Sequence, residues 1–158
     1  MNDFSHIDKT GKAVMVDVAE KKISYRTATA RSIVVLPEEV LKKLSSGDIQ
    51  TKKGAVFQAA IIAGIMAAKK TSELIPLCHP LGMDNCTITI ELNKQNELVI
   101  DCTTSIEAKT GVEMEALVGA SVAALTVYDM CKALSHDIVI KETKLMKKTG
   151  GKKDFERK

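Results

Sequence analysis

The spacing of apolar residues changes several times along this chain, and each change marks an element. From Ser24 to Leu36, SYRTATARSIVVL alternates and then turns β-branched, which predicts a strand. Pro37 opens a predicted short helix, PEEVLKKLSSG: proline suits a first helical turn, two acids follow it, and Gly47 can end it. After the loop DIQTKK, Gly54 to Ala68 (GAVFQAAIIAGIMAA) is alanine-rich, of helical length and free of charge. It is too short to span a bilayer, so a buried helix is predicted. Cys86 to Leu92 and Leu98 to Ile106 alternate with period two around the turn Asn-Lys-Gln-Asn-Glu, a predicted hairpin. Gly111 introduces the longest helical pattern, GVEMEALVGASVAALTVYDMCKAL, uncharged from Ala116 to Tyr128. Asp137 to Leu145 (DIVIKETKL) is a final predicted strand before a glycine- and lysine-rich tail.

Strand, helix, strand, strand, helix, strand is the order of an α+β, ferredoxin-like β-α-β-β-α-β sandwich. The short helix after Pro37 is an addition to it. An antiparallel sheet with two long helices on one face is expected. A helix apolar all round is buried on several sides, so these two are expected to bury surface against other subunits as well. No repeat or linker divides residues 1–158, which read as a single domain. A polar arm (residues 1–20) and a basic tail (147–158) are expected to be mobile without ligand.

Composition changes this picture in two respects. There is no Trp, with two Tyr and three Phe, so the core must be aliphatic, from Ala, Val, Ile, Leu and Met. The net charge is only +3, which gives no general attraction to nucleic acid or membrane. Positive charge gathers instead between Lys141 and Lys158, where eight Lys/Arg face three Asp/Glu. That tail is either a phosphate contact or a solvated end. The cysteines, Cys78, Cys86, Cys102 and Cys131, have no CxxC spacing, which argues against a zinc ribbon or thioredoxin-like motif. Reduced thiols and a cytoplasmic location are the default, because MNDFSHIDKT has no signal-peptide core.

The charged residues that flank the apolar helices are the candidate chemistry. Glu113 and Glu115 open the long helix; Asp129 and Lys132, at i and i+3 near its end, share a face. Acids at a helix start suit the dipole, but Asp129 near the C-terminal end opposes it, and Lys132 could be its compensating partner. Glu115 and Asp129 are about 21 Å apart along one helix. Either the two ends serve different pockets, or neighbouring chains bring opposite ends together. Lys53 precedes the helix from Gly54, where a lysine makes sense if an anion binds the free N–H groups; otherwise it is a solvated loop lysine. Arg26 is either an edge-strand charge or a phosphate clamp. In SELIPLCHPLGM, Pro76 and Pro80 are expected to hold Leu77-Cys78-His79 extended, so that Cys78 and His79 point apart. That disfavours a shared metal or a Cys-His dyad. It leaves His79 as a substrate or proton-transfer residue, or the loop as purely structural.

HIDKTGKAVMVDV, the Arg26 strand, KKGAVFQAAIIAGIMAAKKTSELIPLCHPL and KTGVEMEALVGASVAALTVYDMCKAL together resemble the cyclic pyranopterin monophosphate synthase (MoaC) family, from about Phe4 to Phe155. The resemblance implies a ferredoxin-like subunit in a hexamer, a trimer of dimers, with active sites at dimer interfaces. It implies a lyase of molybdenum cofactor biosynthesis. Such an enzyme converts a cyclic dihydroguanosine triphosphate to cyclic pyranopterin monophosphate and releases pyrophosphate. No cofactor is implied as required, although Mg2+ could accompany the triphosphate. By position, Asp129, Lys132 and Lys53 are implied to be catalytic. Leu77, Cys78, His79, Met114 and Glu115 are implied substrate contacts, Arg26 and Lys148 phosphate contacts, and Glu113 a supporting acid. At a buried interface, desolvation would lower a lysine's pKa and raise an aspartate's. The sequence departs from the family in Lys53-Gly54-Ala55, where an acid commonly follows Lys-Gly, and in a tail without serine-glycine.

Three other readings remain. One is a non-catalytic ferredoxin-like module that binds a phosphorylated small ligand. The second is an RNA-binding module, against which stands the lack of stacking aromatics. The third is a purely structural oligomer.

Overall fold

The computed structural model describes residues 5–158. The first four residues of the expected polar arm, including Phe4 where the resemblance begins, lie outside the described residues. In chain order the elements are β1 (Ser24–Val35), α1 (Glu38–Leu41), β2 (Leu44–Ser45), β3 (Asp48–Thr51), β4 (Gly54–Ala55) and α2 (Val56–Lys69). They continue as α3 (Thr71–Leu74), β5 (Asn85–Leu92), β6 (Glu97–Ala108), α4 (Glu113–Cys131), β7 (Val139–Thr149) and β8 (Phe155–Glu156).

The main sheet has the order β5-β6-β1-β7-β8, antiparallel throughout. The second, third, first and fourth long strands thus lie side by side, the arrangement of a ferredoxin-like α+β sandwich. Alternation along β1 sends Ala28, Ala30, Ser32 and Val34 toward the helices, where all are buried. From β6, Leu98, Ile100 and Cys102 join them, and α4 supplies Ala116, Ala120, Ala123, Ala124 and Val127. Each fully buried Val, Ile or Leu here is worth about 1.5–3 kcal/mol of transfer free energy. The fully buried core is aliphatic apart from Phe57 and two cysteines; methionines such as Met83 and Met130 pack only at its margin. The buried Ser32 hydroxyl is satisfied by Thr143 Oγ1 at 2.6 Å.

α4 is long and apolar enough to cross a membrane by length and composition. Here it packs instead against α2, β1, β6 and β7 as a core helix. The crossing of α2 and α4 is close because both helices carry glycine there. A Cβ on Gly119 would lie 2.6 Å from Cys102 Sγ and 3.3 Å from the Gly64 carbonyl oxygen. Beyond that contact, Ile62 and Met66 of α2 and Leu125 of α4 are exposed.

Two departures from the expected elements have local causes. The helix after Pro37 is only a single turn: β2 takes up part of its expected second half, and β3 stands in the expected loop DIQTKK. Ser46 and Gly47 both have positive φ, 52° and 81°, which forms a two-residue hairpin of the primed type between Ser45 and Asp48. The last long strand runs to Thr149 rather than Leu145. Its register slips by one residue against Thr29 and Ala30, so Met146 is extra. That bulge moves Lys148 to the helix side of the sheet, opposite Ala28, a re-aiming that bulges commonly provide. Past β7, Gly150 turns the chain at φ 83°, where an added Cβ would collide with the Tyr25 carbonyl oxygen.

An anion at the start of α2, one of the two readings of Lys53, is supplied by the chain itself. Asp48 Oδ1 accepts from the main-chain N–H of Phe57 at 2.7 Å and Ile49 at 2.6 Å, and Oδ2 accepts from Gln58 at 3.2 Å. The carboxylate is buried and caps a helix whose own N-cap, Ala55, has no capping side chain. Asp48→Ala is therefore expected to cost about 2–4 kcal/mol in urea denaturation, through the lost cap and stranded buried donors. A loss under about 1 kcal/mol would deny the carboxylate this capping role.

Candidate active site

The site residues expected from the sequence gather in two places, at opposite ends of α4. At the C-terminal end, Asp129 lies in the last turn and Lys132 is the capping residue, its N–H bonded to the Tyr128 carbonyl. Lys132 Nζ lies 2.7 Å from Asp129 Oδ1, the i, i+3 pair expected from the sequence. Lys53 reaches the other carboxylate oxygen, Oδ2, at 3.4 Å. It projects from the turn between β3 and β4, a turn closed by Thr51 Oγ1, which accepts from Lys53 N–H and donates to the Gly54 carbonyl. One carboxylate thus sits between two ammonium groups, that of Lys132 from its own helix and that of Lys53 from 76 residues earlier in the chain. A cavity of about 780 Å³ opens beside Lys53, walled by Lys52, Met130 and Leu134 among others.

The titration of Asp129 and Lys132 runs opposite to the expectation for a desolvated pair. All three side chains are about half exposed in the single chain, so pairing outweighs burial. Hydrogen bonds from Lys132 first and Lys53 second hold the Asp129 carboxyl below its ordinary value. Asp129 in turn raises Lys132. Both shifts favour the charged forms, carboxylate for Asp129 and ammonium for Lys132.

The N-terminal end of α4 carries the remaining candidates. Glu113, Met114 and Glu115 stand in its first turn, opposite Leu77, Cys78 and His79, around a cavity of about 190 Å³. The Leu77-Cys78-His79 stretch is not extended as expected. Pro76 fixes a turn in which Cys78 N–H donates to the Ile75 carbonyl at 3.2 Å, so Cys78 and His79 line the same cavity. His79 Nε2 is nevertheless committed elsewhere, donating to the Val16 carbonyl at 2.7 Å. Burial, and then the Glu115 charge, push the Cys78 thiol up, which keeps it protonated rather than nucleophilic.

A larger cavity of about 630 Å³ adjoins this one through His79 and Glu113 and is lined by cations. Arg26 is held toward it by two main-chain carbonyls, of Ala108 at 3.1 Å and Lys109 at 3.2 Å. Lys148, re-aimed by its bulge, donates to Glu113 Oε1 at 3.0 Å. Lys21, Lys152 and Lys153 also line it, as does His6; the sequence reading had not singled these out. For Lys152 and Lys153 the signal was the basic tail itself; for His6 and Lys21 it was faint, in and just after an arm read as polar. Among the described residues no cluster of three or more His, Cys, Asp or Glu side chains is placed to hold a metal ion.

Glu115 is the one buried acid of the site, only 4% exposed. Burial, with the nearby Glu113 charge adding to it, raises its pKa above the ordinary 4.5. Between those two values the folded chain binds more protons than the unfolded one, so stability falls as pH rises through that window. Glu115→Gln has no charge to bury. Its melting temperature is expected to exceed that of wild type at about pH 8, with the gap closing by about pH 4. A gap independent of pH would mean that Glu115 is not strained by burial.

The MoaC family sequence profile matches residues 15–151. A "Cyclic pyranopterin monophosphate synthase" of Xanthomonas campestris pv. campestris (strain B100) is 51% identical over 152 residues, covering 96% of this chain and 92% of that protein. One of the same name from Lysinibacillus sphaericus (strain C3-41) is 50% identical over 155 residues, covering 96% of each. "Molybdenum cofactor biosynthesis protein 1" of Dictyostelium discoideum is 49% identical over 168 residues, and there the match takes in only 27% of the longer protein. With a matching fold, a profile match over most of its length and relatives at half identity from end to end, the chain belongs to the MoaC family.

Proposed function

We propose that this protein is a cyclic pyranopterin monophosphate synthase, a lyase of molybdenum cofactor biosynthesis. It converts a cyclic dihydroguanosine triphosphate to cyclic pyranopterin monophosphate and pyrophosphate. The observation that carries this reading is the Asp129 carboxylate held between Lys53 and Lys132 in a chain of this family. Forming a cyclic phosphate joins a substrate hydroxyl oxygen to the α-phosphorus and breaks its bond to the bridging oxygen of the leaving pyrophosphate. The hydroxyl proton needs an acceptor, for which ionised Asp129 is suited, and the charge that develops on phosphate needs cations. Lys132 and Lys53 supply charge and protons at the reaction centre. Arg26 and Lys148, with their cationic neighbours, take the triphosphate. Leu77, Cys78, His79, Met114 and Glu115 form the wall for the ring system, and Glu113 holds Lys148. The chemistry asks for no cofactor held by protein side chains. A Mg2+ could accompany the triphosphate, and no side chain of this chain is assigned to hold it.

The working unit is a cytoplasmic homo-oligomer, a hexamer built as a trimer of dimers. Two features support association of subunits: the two halves of the site stand at opposite ends of α4, and Ile62, Met66 and Leu125 are exposed apolar side chains on the helices. A dimer that apposes the C-terminal end of one α4 to the N-terminal end of another would join Asp129 to the partner's ring wall.

The test is turnover of the cyclic dihydroguanosine triphosphate, followed by pyrophosphate release and pterin product. Binding without turnover would favour a non-catalytic module. Mixing Lys132→Ala with Arg26→Ala subunits then tests sharing. Two inactive variants are expected to recover about a quarter of wild-type sites if each site draws on two chains. No recovery after subunit exchange would place each site within one chain.

A further inference from the structure

The N-terminal arm had been expected to be a polar, mobile appendage, and the contacts around it give it a different role. Its tip is a closed hairpin. Val14 N–H donates to the His6 carbonyl and Asp8 N–H to the Lys12 carbonyl, each at 2.9 Å. Asp8 Oδ1 accepts from the N–H of Thr10 at 2.8 Å and of Lys12 at 3.0 Å, and from the Thr10 hydroxyl at 2.7 Å. The stem is then tied to the body at two carbonyls. His79 Nε2 donates to Val16 O and Lys109 Nζ to Ala19 O, each at 2.7 Å. A carbonyl can only accept, so His79 carries its proton on Nε2. Along the stem, Val16 and Val18 are half-buried while Met15 and Asp17 are exposed, so one edge of the arm faces the body. That edge is a wall of the cationic cavity. His6, at the base of the hairpin, is the arm residue that borders both the cationic cavity and the smaller one shared by Cys78 and Glu115.

We infer that residues 5–19 form a wall of the substrate site, that His79 is the positioning residue that latches this wall through Val16, and that His6 contacts the substrate where its phosphate end meets its ring end. This rests on the function proposed above. A polyphosphate in the cationic cavity and a ring system against Leu77 and Met114 must be joined across the boundary where His6 stands. An imidazole there can donate to a phosphate or sugar oxygen. Binding a tethered arm loses less freedom than ordering a loose one, which is the advantage of a latch already made in the free protein.

Amide hydrogen exchange separates the latch from the chemistry. In the ligand-free wild type, the amides of Lys12, Val14 and Lys21 are expected to be protected. His79→Ala is expected to speed their exchange about tenfold, and His79→Gln, whose amide can donate from a similar position, to restore it. Inorganic triphosphate should protect them further. In turnover, His6→Ala and His79→Ala are each expected to raise KM about tenfold with kcat changed by less than about threefold, and His79→Gln to recover most of that loss. Unprotected arm amides in the wild type, or exchange that ignores His79→Ala, would overturn the latch. A KM unmoved by His6→Ala would overturn the contact while leaving the proposed activity standing. Should the wild type turn nothing over, the proposed activity fails. Triphosphate affinity then decides for His6, with about tenfold weaker binding in His6→Ala supporting the contact and unchanged binding ending it.

Discussion

Asp129→Asn is expected to lower kcat about 10²–10⁴-fold, the usual scale for loss of a positioned acid–base group. The substitution keeps the shape of the side chain, and an amide oxygen can still accept from one lysine. What it removes is the site for a proton between Lys53 and Lys132, and the negative charge that keeps two ammonium groups together. Triphosphate binding is expected to survive, because the phosphates are assigned to Arg26 and Lys148 rather than to Asp129. The pH profile gives a second readout. Lys132 and Lys53 hold the carboxyl below its ordinary value, so the acidic limb of the rate profile should lie below the ordinary carboxylate range. Lys53→Ala, if enough rate remains to measure, should move that limb upward. A kcat for Asp129→Asn within about tenfold of wild type would remove Asp129 from the reaction centre.

Gly119→Val is the substitution expected to damage the fold most. Its Cβ alone would approach Cys102 Sγ to 2.6 Å, the Gly64 carbonyl oxygen to 3.3 Å and Ala68 Cβ to 3.4 Å. Cys102 lies on a central strand and Gly64 on the facing helix, so relief requires the α2–α4 pair to spread. Overpacking of this kind costs about 3 kcal/mol. For a domain of this size that corresponds to a fall in Tm of roughly 6–12 °C. Gly82→Ala is the control: nothing lies within 4 Å of its added Cβ. If both variants melt like wild type, the glycine crossing does not determine how closely the helices pack.

The long elements were legible because each repeats its signal. β1, β5 and β6 alternate at period two, and α2 and α4 are long uncharged runs, so their order identifies the sandwich. The small β2-β3-β4 sheet was not legible, since two- and four-residue strands carry no period and Ser46-Gly47 is a brief turn signal. Asp48 was missed for another reason. A local N-cap sits next to its helix, whereas this carboxylate reaches Phe57 from nine residues away. In the site, the Asp129–Lys132 pair could be read from i, i+3 spacing. Lys53 could be matched to the family motif, but its meeting with Asp129 depends on the tertiary fold. Lys148 shows the limit most clearly: strict alternation from Leu145 would send it to the opposite face, and only the extra residue at Met146 brings it to Glu113.

Because α4 carries Gly119 at its crossing with α2 and Asp129 at its end, the helix can change in composition far more freely than in length. One residue inserted between them would leave the glycine contact in place and swing Asp129 and Lys132 through about 100°. Lys53 could not follow, since it is fixed on a separate turn beside the Asp48 cap. Natural variation in this segment should therefore consist of replacements, with insertions and deletions confined to the loops on either side of the helix.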